Sequence, residues 1–307
     1  MPIEDSASAS TRAGSGRAPG LGAPVELIAS YWTLAGGALP HSRFEYSTFE
    51  FRKRIEAAAH AGFRGVGLWH ADLERVLTRY TLPEMRRILD DNGMKYVEIE
   101  FLVDWFIEPG DARRIASDER RKLLFEAAEG LSGRHIKVGD FYRSPCPMPR
   151  LIDEFSTLCT DAAKRGIMIV YELMPHSVIE SLASARALME GAAQNNGGII
   201  FDLWHIVKLG IPYEEVMSFP AAHFKALEIN DGYLKTPQGM DIVTETTSHR
   251  KLCGRGEFDI KGFLRKLAAS PYKGPVGIEV LSQELRTWDL EKTATTAYET
   301  TIEQFAQ

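Results

Sequence analysis

The chain has 307 residues, of which 44% are hydrophobic and 25% charged, a balance that is typical of a globular protein with a large core. Its net charge of −6 disfavours a nucleic-acid partner, because phosphates favour basic surfaces. No apolar run approaches the roughly 20 residues that a membrane helix needs, and the three scattered cysteines do not indicate a disulfide framework. We therefore expect a cytoplasmic protein with neither a membrane nor a nucleic-acid partner.

The N-terminal segment differs in composition from the rest of the chain. Residues 1–22 are rich in Ser, Ala, Gly and Arg and lack the apolar stretch of a secretory signal. We interpret them as a flexible tail, either disordered or docked on a partner subunit. Residues 23–307 then form one catalytic domain, because no linker or internal repeat divides them. The sequence leaves homo-oligomerisation open.

From Pro24 onwards, short apolar runs alternate with segments of helical character. The apolar runs predict eight strands, at residues 25–30, 63–69, 96–102, 135–138, 167–173, 199–202, 223–229 and 276–280. The segments that follow them predict helices at residues 47–61, 82–91, 111–129, 149–165, 178–194, 213–218, 260–269 and from about 284 onwards. This alternation implies parallel βαβ units, and eight of them at this length imply an α/β protein with a single (β/α)8 TIM barrel.

Two local features refine this prediction. Ser47 is a suitable N-cap for the first helix, and Gly62 is a suitable residue to end it. The segment from Gly232 to Phe258 is too long for an ordinary connection between strand and helix. Because long loops at the catalytic face of a barrel often cover the substrate, we expect this segment to be a lid.

Four predicted strands end in, or next to, an isolated acidic residue. These residues are Glu172, Asp202, Glu228 and Glu279, and His205 follows closely after the second of them. The active sites of parallel barrels lie at the carboxyl ends of the strands, and burial of an unpaired carboxylate is costly. We therefore expect the four acids to share one divalent cation; the alternative is a structural ion pair for each. Oxygen ligands favour Mn²⁺ or Mg²⁺ over Zn²⁺.

Other ionisable residues lie on the predicted strands. Lys137 is within the fourth strand, where a buried ammonium group could act as an acid, a base or a partner for an oxyanion. The alternative for Lys137 is a salt bridge to Glu100 or Glu172. Glu100, on the third strand, and His70, at the end of the second, are candidates for substrate binding.

The chain resembles the xylose-isomerase-like barrel superfamily, which includes sugar isomerases and epimerases, inosose dehydratases and 3-dehydroshikimate dehydratases. The resemblance extends from about residue 24 to the C terminus. It rests on segments 65–70, 172–175, 201–205, 228–231, 254–259 and 277–280. Their order and spacing are specific to the superfamily but not to one substrate.

The resemblance implies one divalent ion, held by Glu172, Asp202, Glu228 and Glu279. The chain departs from the superfamily at Glu228, where relatives have His or Gln. Glu228 therefore either binds the ion or faces a cationic side chain, and we favour binding. A role for Glu228 as a catalytic base stays open.

The resemblance also implies roles for basic residues around the metal. His205 would lie close to the substrate oxygens, and either His249 or Arg250 would reach the substrate from the long segment. For the proton transfers themselves we expect Lys137 or His205 to serve.

Together these residues predict a metal-dependent isomerase or epimerase of a keto-sugar, sugar acid or cyclitol. The cation would bind a carbonyl and an adjacent hydroxyl and stabilise the enediolate that forms when the proton between them is lost. The alternative is a metal-dependent lyase, namely a dehydratase of a keto-cyclitol or of a dehydroshikimate-like acid. A non-catalytic binding protein is a third possibility, but it would have little reason to keep four buried acids.

Overall fold

The structure is a computed structural model that describes residues 25–306. The predicted tail at residues 1–22 lies outside the described residues. Among those that are described, no helix combines the length and the apolar character that crossing a bilayer requires.

Eight parallel strands form a closed barrel in which each strand pairs with its sequence neighbours and the last strand pairs with the first. The strands are β1 (Leu27–Ala29), β2 (Gly65–Trp69), β3 (Tyr96–Leu102), β4 (His135–Val138), β5 (Met168–Glu172), β6 (Gly197–Asp202), β7 (Phe224–Ile229) and β8 (Val276–Ile278). The prediction of a single (β/α)8 barrel is therefore confirmed.

Helices surround the barrel and follow the strands. They are α1 (Phe51–Ala61), α2 (His70–Val76), α3 (Leu82–Asp91), α4 (Ala112–Gly130), α5 (Met148–Ala163), α6 (Leu182–Ala192), α7 (Leu203–Lys208), α8 (Tyr213–Met217), α9 (Ile242–Ser248), α10 (Ile260–Ala269) and α11 (Leu290–Phe305). Short 3-10 turns at Tyr31–Leu34 and Leu285–Thr287 complete the pattern.

Three of these helices did not follow from the sequence pattern. Helices α2 and α7 begin directly at the ends of β2 and β6, without an intervening loop that would separate strand from helix. Asp202 makes the second of these transitions, because its carboxylate accepts the backbone N–H groups of Trp204 and His205, at 2.7 and 3.3 Å. Helix α9 lies inside the segment 232–258, where the sequence predicts a loop.

The N-cap prediction for α1 is wrong. The cap is Glu50, whose side chain accepts the N–H of Lys53 at 3.1 Å. Ser47 instead donates its backbone N–H to the buried Asp72 at 2.9 Å. Helix α1 does end at Gly62, which has a positive φ of 115° that favours glycine over other residues.

The barrel interior is layered in a way that positions the acidic residues. Val170, Ile200 and Ala226 form a small buried cluster in the interior. Glu172, Asp202 and Glu228 each come two residues later on the same strands. Because side chains two apart on a strand share a face, this apolar layer places the three carboxylates above it, toward the carboxyl ends of the strands.

Two strand glycines make room for the acidic side chains. A Cβ atom at Gly277 would lie 2.7 Å from Cγ of Glu228, and one at Gly67 would overlap Oε1 of Glu100. Neither position could therefore carry a larger side chain without displacing an inward-facing carboxylate.

Candidate active site

The four acids predicted from the strand ends lie together. Glu172, Asp202, Glu228 and Glu279 are all buried, and each offers an oxygen within 4.8 Å of those of the others. The strand register explains this convergence, because Asp202 pairs with Glu228 across β6 and β7, and Glu228 pairs with Gly277 across β7 and β8. His205 forms a second, overlapping group with Glu172 and Asp202.

Lys137 lies among these carboxylates. Its ammonium group is fully buried and donates to Glu228 Oε2 at 2.7 Å and to Glu279 Oε1 at 3.3 Å, and Glu100 Oε2 is 3.4 Å away. Burial alone would lower the pKa of Lys137, but the surrounding carboxylates raise it well above its ordinary value. Lys137 is therefore a charged internal partner of the acids, and the ion pair with Glu100 that the sequence suggested is present.

Glu228 has partners for both of its oxygens. Ser30 donates its hydroxyl to Oε1 at 2.6 Å, while Lys137 binds Oε2. Each carboxylate oxygen carries two lone pairs, so these bonds do not by themselves prevent metal binding. Glu228 thus combines the two roles that the sequence left as alternatives, a position within the ligand cluster and a contact with a cationic side chain.

Arg250 provides a second internal cation. Its Nη1 donates to Asp202 Oδ2 at 2.8 Å and to Glu279 Oε2 at 3.0 Å, and its Nη2 is 3.4 Å from His205 Nε2. The guanidinium carbon also lies 5.2 Å from the centre of the Trp204 ring. Arg250 therefore reaches the acidic cluster itself from the long segment, as the resemblance implied for one of its basic residues.

The carboxyl groups differ in their tendency to ionise. Burial raises the pKa of Glu100 to about 8 and also raises that of Glu279. Burial opposes ionisation of Asp202 and Glu172 too, but Arg250 lowers the pKa of Asp202 and Lys137 lowers that of Glu172. At neutral pH the cluster thus contains ionised carboxylates alongside carboxyl groups that burial holds toward the neutral form.

This donor set suits a divalent cation. With Glu100 included, the acids exceed the charges of Lys137 and Arg250 by three when all are ionised. A divalent ion would remove most of this excess and would favour the ionised form of the carboxylates that bind it. Carboxylate oxygens suit Mg²⁺ or Mn²⁺, and the nearby His205 nitrogen would extend the choice to Zn²⁺.

A cavity lies over the cluster. Its floor includes Glu100, Glu172, His205, Arg250 and Glu279. One wall is aromatic and consists of Trp32, Trp69, Phe101 and Phe141, with ring centres 5.0 Å apart in the tryptophan pair and 4.8 Å apart in the phenylalanine pair. A concave site with apolar walls and a polar floor is the usual form of a small-molecule site.

The other two substrate-binding candidates lie away from this floor. His70 begins α2, is 8% exposed and is not among the residues that line the cavity. Burial lowers its pKa to about 3, and its Nδ1 has no hydrogen-bond partner among the described residues. His249 is half-buried beside Arg250, where its backbone pairs with Ser282 and its side chain does not line the cavity.

The sequence interpretation missed residues that orient the acids. Asn230 donates its amide to both oxygens of Asp202, at 3.1 Å each, and Ser30 binds Glu228. The positions of these two residues in the sequence could have indicated their role. Asn230 follows Glu228 by two residues and so continues the inward face of β7, and Ser30 directly follows β1.

The long segment is anchored to the barrel at several points. Asp231 accepts the backbone N–H groups of Gly232, Gly256 and Phe258 at distances of 2.8 to 3.0 Å. Within α9, the fully buried Glu245 lies 2.6 Å from Nζ of Lys208. These contacts hold Arg250 over the acids, and closure of the segment over a substrate stays a prediction.

Comparison with known proteins places this fold and site in a family. The family model described as "Xylose isomerase-like TIM barrel" matches residues 55–304, and the chain therefore belongs to that family. This confirms the resemblance that the sequence motifs indicated.

Individual relatives are more distant. The chain is 28% identical over 239 residues to a 3-dehydroshikimate dehydratase of Pseudomonas aeruginosa, an alignment that covers 76% of this chain and 36% of that enzyme. The IolI protein, solved with a zinc atom, superposes with a TM-score of 0.75 at 16% identity, over 91% of this chain and 98% of that one. The D-allulose 3-epimerase of Methylomonas sp. superposes with a TM-score of 0.68 at 16% identity, over 91% of this chain and 97% of that one. At these identities the two structures show a shared fold alone.

Proposed function

We propose that the chain is a divalent-metal-dependent isomerase or epimerase of a small uncharged hydroxyketone, such as a keto-sugar or keto-cyclitol. The observation that carries this proposal is the convergence of Glu172, Asp202, Glu228 and Glu279 within 4.8 Å beneath a cavity. When bound, a divalent cation would polarise a carbonyl and stabilise the negative charge that its oxygen gains on loss of the neighbouring proton. A zinc-containing protein and a sugar epimerase with the same fold support the assignment by analogy.

The four acids would hold the ion, and their neighbours would orient them. Asn230 fixes the carboxylate of Asp202 through two hydrogen bonds, and Ser30 and Lys137 fix that of Glu228. Second partners of this kind restrict the ligands to one arrangement before the ion arrives.

His205 and Glu100 are suited to move the proton. Both line the cavity floor, and neither is needed as a ligand if the four acids hold the ion. They come from β3 and the end of β6, three strands apart around the barrel, so they approach a substrate from different sides. Burial raises the pKa of Glu100, which suits it to donate a proton, while His205 would accept one. Removal on one side and return on the other is the requirement of epimerisation.

The charge of the cavity favours an uncharged substrate. Among the described residues that line it, Glu45, Glu100, Glu172 and Glu279 are acidic, and Arg250 is the one Lys or Arg. Arg250 already donates to Asp202 and Glu279. A phosphate or carboxylate group would therefore meet repulsion here without a cationic side chain to bind it.

The test is proton exchange in D₂O. The purified protein, loaded with Mn²⁺ or Mg²⁺, is incubated with D-fructose, D-tagatose, an inosose and 3-dehydroshikimate, and the products are examined by NMR. We expect deuterium beside the carbonyl and a second isomer with one of the uncharged ketones. Exchange that is unchanged after EDTA treatment, or confined to the anionic 3-dehydroshikimate, would contradict the proposal.

Dehydration is the second candidate, and a specific observation favours it. The relative that is 28% identical in sequence is a 3-dehydroshikimate dehydratase. A protonated Glu100 could equally donate its proton to a hydroxyl group that departs from the carbon β to the carbonyl. The same experiment separates the two reactions, because dehydration yields an unsaturated ketone with strong ultraviolet absorption and epimerisation does not.

A further inference from the structure

A second cavity opens beside the cavity over the acids. We refer to it as the outer cavity. It shares five wall residues with the first one, and so the two cavities adjoin each other. The shared residues are His41, Phe141, Met174, His205 and Thr246.

The remaining walls of the outer cavity are mostly apolar. They include Tyr142, Pro175, Trp204, Ile242 and Val243. Among the described residues that line it there is no Asp, Glu, Lys or Arg, whereas the floor of the first cavity is charged. The cavity over the acids is therefore charged, whereas the outer cavity is uncharged and largely apolar.

Two of the apolar walls are unusually open to solvent. Tyr142 is 64% exposed and Val243 is 51% exposed, and they lie on different segments that flank the same cavity. Exposed apolar side chains gathered around a concave site are typical of a ligand-binding surface, because a ligand removes their area from water.

We propose that the outer cavity binds an apolar substituent, such as an aryl group, that is attached to the hydroxylated part of the substrate. The identity of the hydroxylated part rests on the proposed function; the apolar site does not. We take the occupant to be a part of the substrate because the outer cavity adjoins the one over the acids and shares five wall residues with it. A flat ring would contact Trp204, Met174 and Val243 while the hydroxylated part lies over the carboxylates.

Binding measurements test this proposal without catalysis. Phenyl β-D-glucopyranoside, methyl β-D-glucopyranoside and benzyl alcohol are titrated into the Mg²⁺-loaded protein and followed by calorimetry and ligand-observed NMR. We expect the phenyl glycoside to bind about tenfold more tightly than the methyl glycoside, because its ring is removed from water. Val243→Glu places a charge in the apolar wall. It should abolish the preference for the phenyl glycoside and weaken the binding of benzyl alcohol.

The chain offers a matched control in the same segment. Leu234 is 55% exposed but does not line the outer cavity, so Leu234→Glu should leave all three affinities unchanged. If benzyl alcohol binds in a way that depends on Val243 and neither glycoside binds, the apolar site is supported. The same result would contradict a sugar as the hydroxylated part of the substrate. Equal affinities for the two glycosides, absence of any aryl binding, or equal effects of both variants would overturn the inference. So would a dimer in sedimentation that Val243→Glu dissociates, because a second copy would then cover this surface.

Discussion

Lys137 and Glu228 form a fully buried ion pair of 2.7 Å across the centre of the barrel. Lys137 lies on β4 and Glu228 on β7, 91 residues later in the chain. The position that has a neutral His or Gln in the resembling enzymes thus has a carboxylate here, together with a lysine that compensates its charge. Burial and the neighbouring Glu279 raise the pKa of Glu228 well above its ordinary value, and Lys137 opposes this shift by favouring the ionised form.

The first prediction concerns the energy of this pair. Lys137→Met should lower the free energy of unfolding by about 3–5 kcal/mol, because it leaves buried carboxylates without their cation. Glu228→Gln should lower the free energy of unfolding by less, since Glu100 and Glu279 still surround the lysine. The double variant should be more stable than the sum of the single effects predicts. Urea denaturation of the four proteins without metal measures the coupling, and strictly additive losses would show that the pair has no net interaction.

The second prediction ranks the metal ligands. Asp202→Asn should weaken Mn²⁺ binding by about a hundredfold or more, because a carboxylate ligand becomes a neutral amide. Glu228→Gln should weaken it by about tenfold or less, because burial and the neighbouring Glu279 raise the pKa of Glu228 well above its ordinary value, so that Glu228 must lose a proton before it binds the ion. Calorimetric titration and elemental analysis give the affinities. If the two substitutions reduce the Mn²⁺ affinity equally, the two acids contribute equally to metal binding.

The fold and the acidic cluster could be predicted because both depend on local patterns. Apolar runs of strand length alternate with helical segments, and each acid ends such a run. Val170 and Glu172 lie two residues apart on one strand, so the alternation of a strand places both in the barrel interior. No knowledge of distant parts of the chain was required for these inferences.

The partners of the acids depend on closure of the barrel and could not be predicted in the same way. Lys137 meets Glu228 only because β4 and β7 face each other inside the barrel. Arg250 reaches Asp202 because a buried ion pair between Lys208 and Glu245 holds α9 in place. Such contacts join residues far apart in the chain, and no spacing in the sequence records them.

The third prediction concerns His70 and pH. Burial lowers its pKa from the ordinary 6.5 to about 3, so the unfolded chain takes up a proton at a pH where the folded protein does not. Stability is therefore unaffected by His70 above pH 6.5 and falls as the pH decreases below it. The loss should reach about 2 kcal/mol between pH 7.5 and pH 5.

The control for His70 is His70→Gln, which cannot titrate in this range. The free energy of unfolding of both proteins, measured in urea at several pH values, should differ by a constant above pH 7 and converge or cross as the pH falls. Parallel curves from pH 7.5 to pH 5 would mean that His70 is protonated in the folded state as readily as in the unfolded state.

The last prediction concerns the segment that positions Arg250. Glu245→Gln leaves the charge of Lys208 buried against Trp204 without its partner, so α9 should lose its anchor. We expect faster amide hydrogen exchange across residues 242–250, because α9 loses a buried contact that holds it against the barrel. Glu257→Gln, in the same segment but outside this ion pair, is the control. Unchanged exchange in α9 of the Glu245 variant would show that the other contacts of the segment suffice to hold it.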